Sequence, residues 1–144
     1  TGNLSSIVTS AFQVIPASKQ ENIAVSADVT VVFGTERFDV GSNFASNTFT
    51  APVAGKYHLS VSLRLENIDS AAGYYLADIV TSNKTYQILF DPDFGQDNSY
   101  MFMTMTHVCD MDASDTASIN FHQAGGTQQT DIAVESVFSG ILIG

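Results

Sequence analysis

Apolar and polar residues alternate with a period of two along much of this chain, which is the pattern of half-buried β-strands. The clearest example is the segment 57–65, where the apolar positions are Tyr57, Leu59, Val61, Leu63 and Leu65. Successive side chains of a strand point to opposite faces, so this segment has one apolar face and one polar face. Because helical periodicity is absent, the pattern predicts an all-β chain.

Short apolar segments separated by turn sequences predict the other strands. Glycine and proline mark the turns, because glycine supplies positive φ and proline fixes its own φ. The predicted strands are residues 11–15, 29–33, 74–81, 85–90, 99–109, 117–122 and 134–143. Many short strands at this spacing predict a sandwich or jelly roll, and no repeat or linker divides the chain. We therefore expect residues 1–144 to form a single domain.

Two predicted strands are apolar on both faces. In residues 99–109 one face carries Met101, Met103 and Met105, and the other carries Tyr100, Phe102 and Val108. Residues 136–143 are also apolar on both sides, and such a strand must be covered on both sides. A helix-free chain of this length has little left to cover them, which favours a closed homo-oligomer. The alternative is that loops or the N-terminal segment cover this face.

Composition and charge exclude several classes of partner. The chain has 15 acidic and 5 basic side chains and a net charge of −10, whereas nucleic acids and anionic membranes require a basic surface. No apolar run approaches the ~20 residues of a membrane span, so we expect neither nucleic-acid binding nor membrane insertion. The single cysteine, Cys109, excludes an intrachain disulfide and a cysteine-rich zinc site.

The segment 49–61 resembles the signature of the globular C1q head, the recognition domain of complement's first component. That signature is Phe, five residues, Gly, one residue, Tyr, one residue and an apolar or aromatic residue. The matching positions are Phe49, Gly55, Tyr57 and Leu59.

Other segments extend this resemblance along nearly the whole chain. Residues 136–143, with the core Phe138-Ser139-Gly140, resemble the closing strand of the family, and Ala11-Phe12 resembles its opening strand. Ser114 stands where the family usually has glycine. The segment 38–44 looks more like the bacterial, phage and environmental branch of the family.

The resemblance implies a ten-stranded jelly roll of two antiparallel sheets that assembles as a homotrimer and is related to the tumour-necrosis-factor ligands. It also implies that one polar face turns toward the threefold axis. The residues carried over to that trimer interface are His58, Ser60, Ser62, Arg64, Tyr100 and Phe102.

No catalytic set emerges from the sequence. No serine lies in a Gly-x-Ser-x-Gly elbow, and His107 with Cys109, which share a strand face, are too few for a zinc site. Cys109 is interpreted as a small buried apolar residue. We therefore expect no catalytic residues, and we expect that the protein is not an enzyme.

Acidic loops raise the possibility of a calcium ion, which is the one cofactor that the sequence suggests. Asp91, Asp93 and Asp97 share a short loop, and calcium is bound by six to eight oxygen ligands. The alternative is that these carboxylates are solvated turn residues.

Ligand recognition is expected on loops that a rigid sandwich holds in place. The candidate loops are residues 68–73, 91–98 and 125–130, and in the last of these Thr127, Gln128 and Gln129 are suited to hydrogen-bonding sugar hydroxyls. The same loop could equally be a solvated hairpin tip.

The first functional hypothesis is a non-enzymatic trimeric recognition head, on an extracellular or virion surface, that binds a cell-surface glycan or protein. The second is a structural virion protein, either a capsid decoration or a fibre-building subunit. A polysaccharide hydrolase ranks third. It needs two carboxylates about 5–9.5 Å apart in a groove, and the sequence alone places no two aspartates in that way.

Overall fold

The computed structural model of the protein describes residues 9–144, which form twelve β-strands and no helix. The strands are β1 (Ala11–Ile15), β2 (Val29–Thr30), β3 (Thr35–Val40), β4 (Phe44–Ala45), β5 (Thr48–Thr50), β6 (Gly55–Ile68), β7 (Tyr74–Thr81), β8 (Thr85–Phe90), β9 (Asn98–Met111), β10 (Thr116–Ala124), β11 (Asp131–Ile132) and β12 (Val137–Leu142).

The strands form two antiparallel sheets. Sheet A has the order β9-β6-β12-β1-β3, and the short strand β11 also pairs with β6. Sheet B has the order β4-β5-β10-β7-β8, and β2 also pairs with β10. This arrangement confirms the predicted all-β fold of two antiparallel sheets.

The core lies between the two sheets and is built on the predicted alternation of β6. Its odd-numbered side chains from position 57 to 65 are all 1% exposed or less. Around them, aromatic rings from both sheets pack on one another: the Phe12 ring lies 4.6 Å from that of Phe49 and 5.0 Å from that of Phe138, centroid to centroid. Such offset and edge-on pairs add to the stabilisation by burial.

The residues that carry the family resemblance have structural roles at one end of this core. The hydroxyl of Tyr57 donates a hydrogen bond to the carbonyl of Val53 at 2.7 Å and so closes the turn before β6. Gly55 allows the chain end to pack closely, since a Cβ there would lie 2.9 Å from Leu142. The signature therefore specifies packing and turn geometry.

The predicted strands agree in position with observed ones, but their lengths differ. Strands β1, β7 and β8 have the predicted bounds, β6, β9 and β10 are longer, and β12 is shorter. The predicted strand 29–33 ends at Thr30, because the amides of Val32 and Phe33 bind the side chains of Gln20 and Asn47 instead of a neighbouring strand.

The strands missed from the sequence are those without an alternating pattern. Strand β3 lies at the edge of sheet A and buries none of its side chains fully, so it has no apolar period to detect. Strands β4, β5 and β11 have only two or three residues. The count of twelve strands in residues 9–144, where ten were expected, arises from such short pieces.

Ser114, which stands where the family usually has glycine, lies in a turn whose backbone suits glycine. It adopts φ of 76° in the turn between β9 and β10, a left-handed conformation in which glycine has no steric cost. The usual glycine of the family suits this backbone better than serine does.

Strand β12 contains a glycine that the core requires. Gly140 points inward, and a Cβ at this position would lie 2.6 Å from side-chain atoms of both Leu59 and Phe12. The next residue, Ile141, points outward and is 47% exposed. No segment among residues 9–144 covers it; the N-terminal segment that could cover it lies partly outside the described residues.

We expect Gly140→Ala to lower the free energy of unfolding by about 1–3 kcal/mol, because an added methyl group overpacks the core against Phe12 and Leu59. Urea denaturation at one protein concentration measures the change. Ser139→Ala, on the opposite side of the same strand, is the matched control. Equal stability of Gly140→Ala and the wild type would contradict this account of the core.

Candidate functional site

The outward side of sheet A brings together all six residues predicted for the trimer interface. We call this surface the sheet A face. Cross-strand pairing aligns its outward residues in rows: one row is Val40, Ala11, Ile141, His58 and Val108. The row with Ser60 and Thr106 follows, then those of Ser62 with Thr104, Arg64 with Phe102 and Glu66 with Tyr100. Their role in assembly stays a prediction.

The sheet A face exposes much of the apolar surface of the molecule. Twelve large apolar side chains are exposed among residues 9–144, and six of them lie here. They are Phe38, Val40, Tyr100, Phe102, Val108 and Ile141. An exposed apolar surface of this kind usually marks an interface.

The charge distribution of the sheet A face differs from that of the whole chain. No acidic side chain occupies the rows from His58 to Arg64, although the chain has 15 acidic residues. Asp110 and Glu66 lie at the two margins of these rows. Net charge of one sign opposes association of identical copies, and these rows add no acidic side chain to that repulsion.

Most polar groups on the sheet A face already have partners in their own chain. Arg64 lies 3.4 Å from Glu135 and 3.6 Å from Glu66, and its guanidinium sits 4.9 Å from the centre of the Tyr100 ring. The Ser62 and Thr104 hydroxyls are 3.2 Å apart. These contacts allow polar side chains to be covered without leaving an unpaired charge.

A hollow of about 220 Å³ lies within the sheet A face, between β3 and β6. Its floor is formed by Phe12 and Gly140, and its walls are Ala11, Gln13, Phe38, His58, Ser139 and Ile141. Small residues in the middle of the sheet create it. A buried apolar cavity of about 150 Å³ holds a benzene ring, so the hollow has room for an apolar side chain of another copy.

A second surface forms where the three predicted ligand loops meet. We call residues 68–73, 91–98 and 125–130 the loop end. The Asp69 carboxylate accepts hydrogen bonds from the amides of Thr127 at 2.7 Å and Gln128 at 2.8 Å. The amide and hydroxyl of Ser70 donate to the Asp97 carboxylate at 2.9 and 2.8 Å. These bonds hold all three loops together.

Asp69 is also the start of a buried hydrogen-bond chain. Its amide donates to the Tyr75 hydroxyl at 2.8 Å, that hydroxyl lies 2.8 Å from the hydroxyl of Thr130, and Thr130 donates to the carbonyl of Asn67 at 3.0 Å. Burial opposes ionisation of Asp69, but the amide hydrogen bonds from Ala71, Gln128 and Thr127 outweigh it. The pKa of Asp69 is therefore lowered from its ordinary 3.8.

A stack of aromatic rings runs from the core to the tip of the loop end. The Tyr75 ring lies 5.1 Å from the Phe90 ring, and Phe90 lies 6.1 Å from Phe94. Phe94 is exposed. The sequence analysis missed this exposed, stacked ring, because Phe94 follows a proline and two aspartates and belongs to no alternating pattern.

The three residues predicted to contact a ligand differ in availability. Thr127 and Gln129 are exposed, and Gln128 is half-buried. The amide group of Gln129 donates to the carbonyl of Asn22 at 3.1 Å. Ligand binding by this loop stays a prediction.

The acidic loop does not gather its carboxylates. Asp91 accepts the amide of Asp93 at 3.1 Å, and Asp97 is held by Ser70 as described. Across residues 9–144 no group of three or more His, Cys, Asp or Glu side chains is placed to hold a metal ion. The geometry therefore gives the predicted calcium site at Asp91, Asp93 and Asp97 no support.

Among residues 9–144, the side chains of His107, His122 and Cys109 form none of the hydrogen bonds to one another or to a serine hydroxyl that a nucleophile and base pair needs. His107 stacks on Tyr86 with ring centres 4.7 Å apart, and His122 lies 2.8 Å from the Asp28 carboxylate. Burial raises the pKa of the Cys109 thiol above its ordinary value. Burial and the neighbouring Cys109 together raise the pKa of the Tyr86 hydroxyl to about 12. A protonated thiol is a poor nucleophile, which agrees with its interpretation as a core residue.

Comparisons with known proteins find the fold but no sequence relative. No protein-family model matches the sequence, and no curated protein matches it. Among solved structures, the globular domain of zebrafish complement 1qA protein is similar over 95% of this chain and 98% of its own, with 17% identity and a TM-score of 0.64. Murine APRIL at pH 8.0 is similar over 94% of this chain and 100% of its own, with 9% identity and a TM-score of 0.68.

These matches confirm the predicted fold. The chain has the jelly-roll fold shared by the C1q globular domain and APRIL. Within residues 9–144, no helix is long and apolar enough to cross a lipid bilayer.

We expect Asp69→Asn to lower the free energy of unfolding by about 1–3 kcal/mol at neutral pH, because the carboxylate accepts three amide hydrogen bonds. The pKa of Asp69 is lowered in the folded state, so its contribution is present above the ordinary 3.8 and is lost as the pH falls through the folded value. The difference between the two proteins should therefore shrink in acid.

Urea denaturation from about pH 7 down to about pH 2 measures this difference, and Asp93→Asn in the exposed part of the loop end is the control. A stability difference between wild type and Asp69→Asn that does not change with pH would overturn the role given to the Asp69 carboxylate.

Proposed function

We propose that this protein is a non-enzymatic recognition head that assembles as a homotrimer through the sheet A face. The observation that carries the proposal is the concentration of exposed apolar side chains on this face, whose acidic side chains lie at its margins. A second copy would bury apolar area on this face, and each Å² removed from water stabilises the assembly by about 25 cal/mol. The sequence resemblance to the C1q head and the shared fold support three copies around one axis.

The arrangement of the sheet A face favours a ring of copies over a symmetric pair. Large exposed side chains, Tyr100 and Phe102, stand on β9 at one edge, and the hollow lies toward the opposite edge at β3. A contact between two different patches is heterologous, and it closes into a ring when the rotation allows it. A threefold ring satisfies both patches on every copy.

We propose that the loop end binds the ligand. Its exposed Phe94 ring and the polar groups of Thr127 and Gln129 supply a stacking surface and hydrogen-bond partners for sugar hydroxyls. The loop end has four aspartates and no lysine or arginine. This charge favours a neutral glycan or a basic protein surface over sialylated or sulfated chains.

The corresponding location is outside a cell, on an extracellular or virion surface. The resemblance of residues 38–44 to the bacterial and phage branch of the C1q-like family favours the virion or the bacterial surface. The excess of acidic over basic side chains keeps such a head soluble and monodisperse.

We expect the wild type to sediment at three times the 15.4 kDa of one chain, and Phe102→Asp to sediment as a single chain. The new carboxylate would lose its hydration on the sheet A face, and Arg64 across from it is already close to the carboxylates of Glu66 and Glu135. Leu89→Asp is the matched control, because Leu89 lies on sheet B and is 56% exposed, as Phe102 is. Analytical ultracentrifugation measures all three masses.

If Phe102→Asp and Leu89→Asp both remain trimeric, Phe102 has no place in the interface. If the folded wild type is a monomer, the proposal itself fails, and circular dichroism establishes that each variant is folded.

We expect the trimer to bind neutral glycans on an array more strongly than sialylated ones, and we expect Phe94→Ala to lose at least tenfold in affinity. Loss of a ring–sugar contact of about 1.4 kcal/mol or more has this effect, since 1.4 kcal/mol is tenfold in affinity. Leu89→Ala, an exposed apolar residue on β8 outside the three loops, is the control. Trimers without any glycan or cell-surface binding would instead support the structural role in a virion.

A further inference from the structure

His58 is the one titratable group in the middle of the apolar row across sheet A. Its cross-strand neighbours in that row are Ile141 on one side and Val108 on the other, followed by Ala11 and Val40. The side chain is exposed in a single copy, and its Nε2 lies 2.7 Å from the Thr106 hydroxyl. A hydroxyl can serve either form of the ring, but it cannot neutralise an imidazolium.

The charged groups around His58 leave it without an anionic partner. On its own strand the outward charged residues are Lys56, Arg64 and Glu66. The one acid among them, Glu66, lies four rows from His58 and is bonded to Lys19 at 2.6 Å. On β9 the closest outward carboxylate is Asp110, which lies in the row of Lys56. Strands β12 and β1 present no titratable side chain to this face, and β3 presents Phe38 at the hollow beside His58.

We propose that protonation of His58 opens the trimer, so that assembly through the sheet A face is controlled by pH. The inference rests on the proposed trimer, which would bury His58 among apolar side chains of two copies. Histidine changes its charge between about pH 5 and 8. An imidazolium buried without a carboxylate loses its hydration, and three such charges around one axis repel one another.

As the pH falls, protonation of His58 should weaken the trimer, whereas the change in net charge of the whole chain should strengthen it. The net charge is −10 at pH 7 and the isoelectric point is about 4.2, so acidification lowers the overall repulsion between copies and would strengthen association. Dissociation on mild acidification therefore requires a local cause. If each imidazolium weakens the contact about tenfold, three of them weaken the trimer about 1,000-fold.

Sedimentation velocity at about pH 7.5 and about pH 5.5 tests the inference on the full chain. We expect the wild type to be a trimer at the higher pH and to dissociate at the lower one while its circular dichroism spectrum is unchanged. His58→Gln, which keeps a hydrogen-bonding group for Thr106 without a titratable charge, should be trimeric at both. His122→Gln, on sheet B beside Asp28, is the control and should respond to pH as the wild type does.

The outcomes separate this inference from the proposed function. A wild type that is monomeric at both values overturns the trimer and the switch together. A wild type that is trimeric at both values overturns only the switch. Acid dissociation that persists in His58→Gln also overturns it, because another group would then be responsible.

Discussion

The alternation of side chains along β6 is the constraint on which both the core and the sheet A face depend. Because the period of a strand is two, the residues of β6 that build the core fix which residues face outward. Tyr57 and Leu59 are fully buried, and His58 between them must therefore lie on the sheet A face. Pairing with β9 and β12 extends this division to the neighbouring strands, so one register decides the core and the face together.

Much of the fold was predictable from the sequence, because strands that bury one face leave an alternating pattern. This holds for β6, β7 and β10, and it explains why β3, an exposed edge strand, escaped detection. The membership of the sheet A face followed from the same period once the strand was placed. The hollow was not predictable, because it depends on the pairing of β1 with β12, two strands far apart in sequence. That pairing places Ala11 opposite Ile141 and Phe12 opposite Gly140.

The loop end was predictable in its parts but not in its construction. Each of the three loops shows turn residues in the sequence, yet nothing in the sequence reveals that Asp69 and Asp97 join them. A carboxylate that binds backbone amides across about sixty positions leaves no local pattern. For the same reason the sequence does not show that the Asp97 carboxylate accepts hydrogen bonds from Ser70.

The way in which Asp69 holds the loop end has a consequence for how the protein can diversify. The Asp69 carboxylate accepts hydrogen bonds from the main-chain amides of Thr127 and Gln128, and every residue except proline has such an amide. Side chains at these positions can therefore be exchanged while the loop keeps its shape. Substitutions at the rim would therefore change the chemistry of this surface without rebuilding the scaffold beneath it.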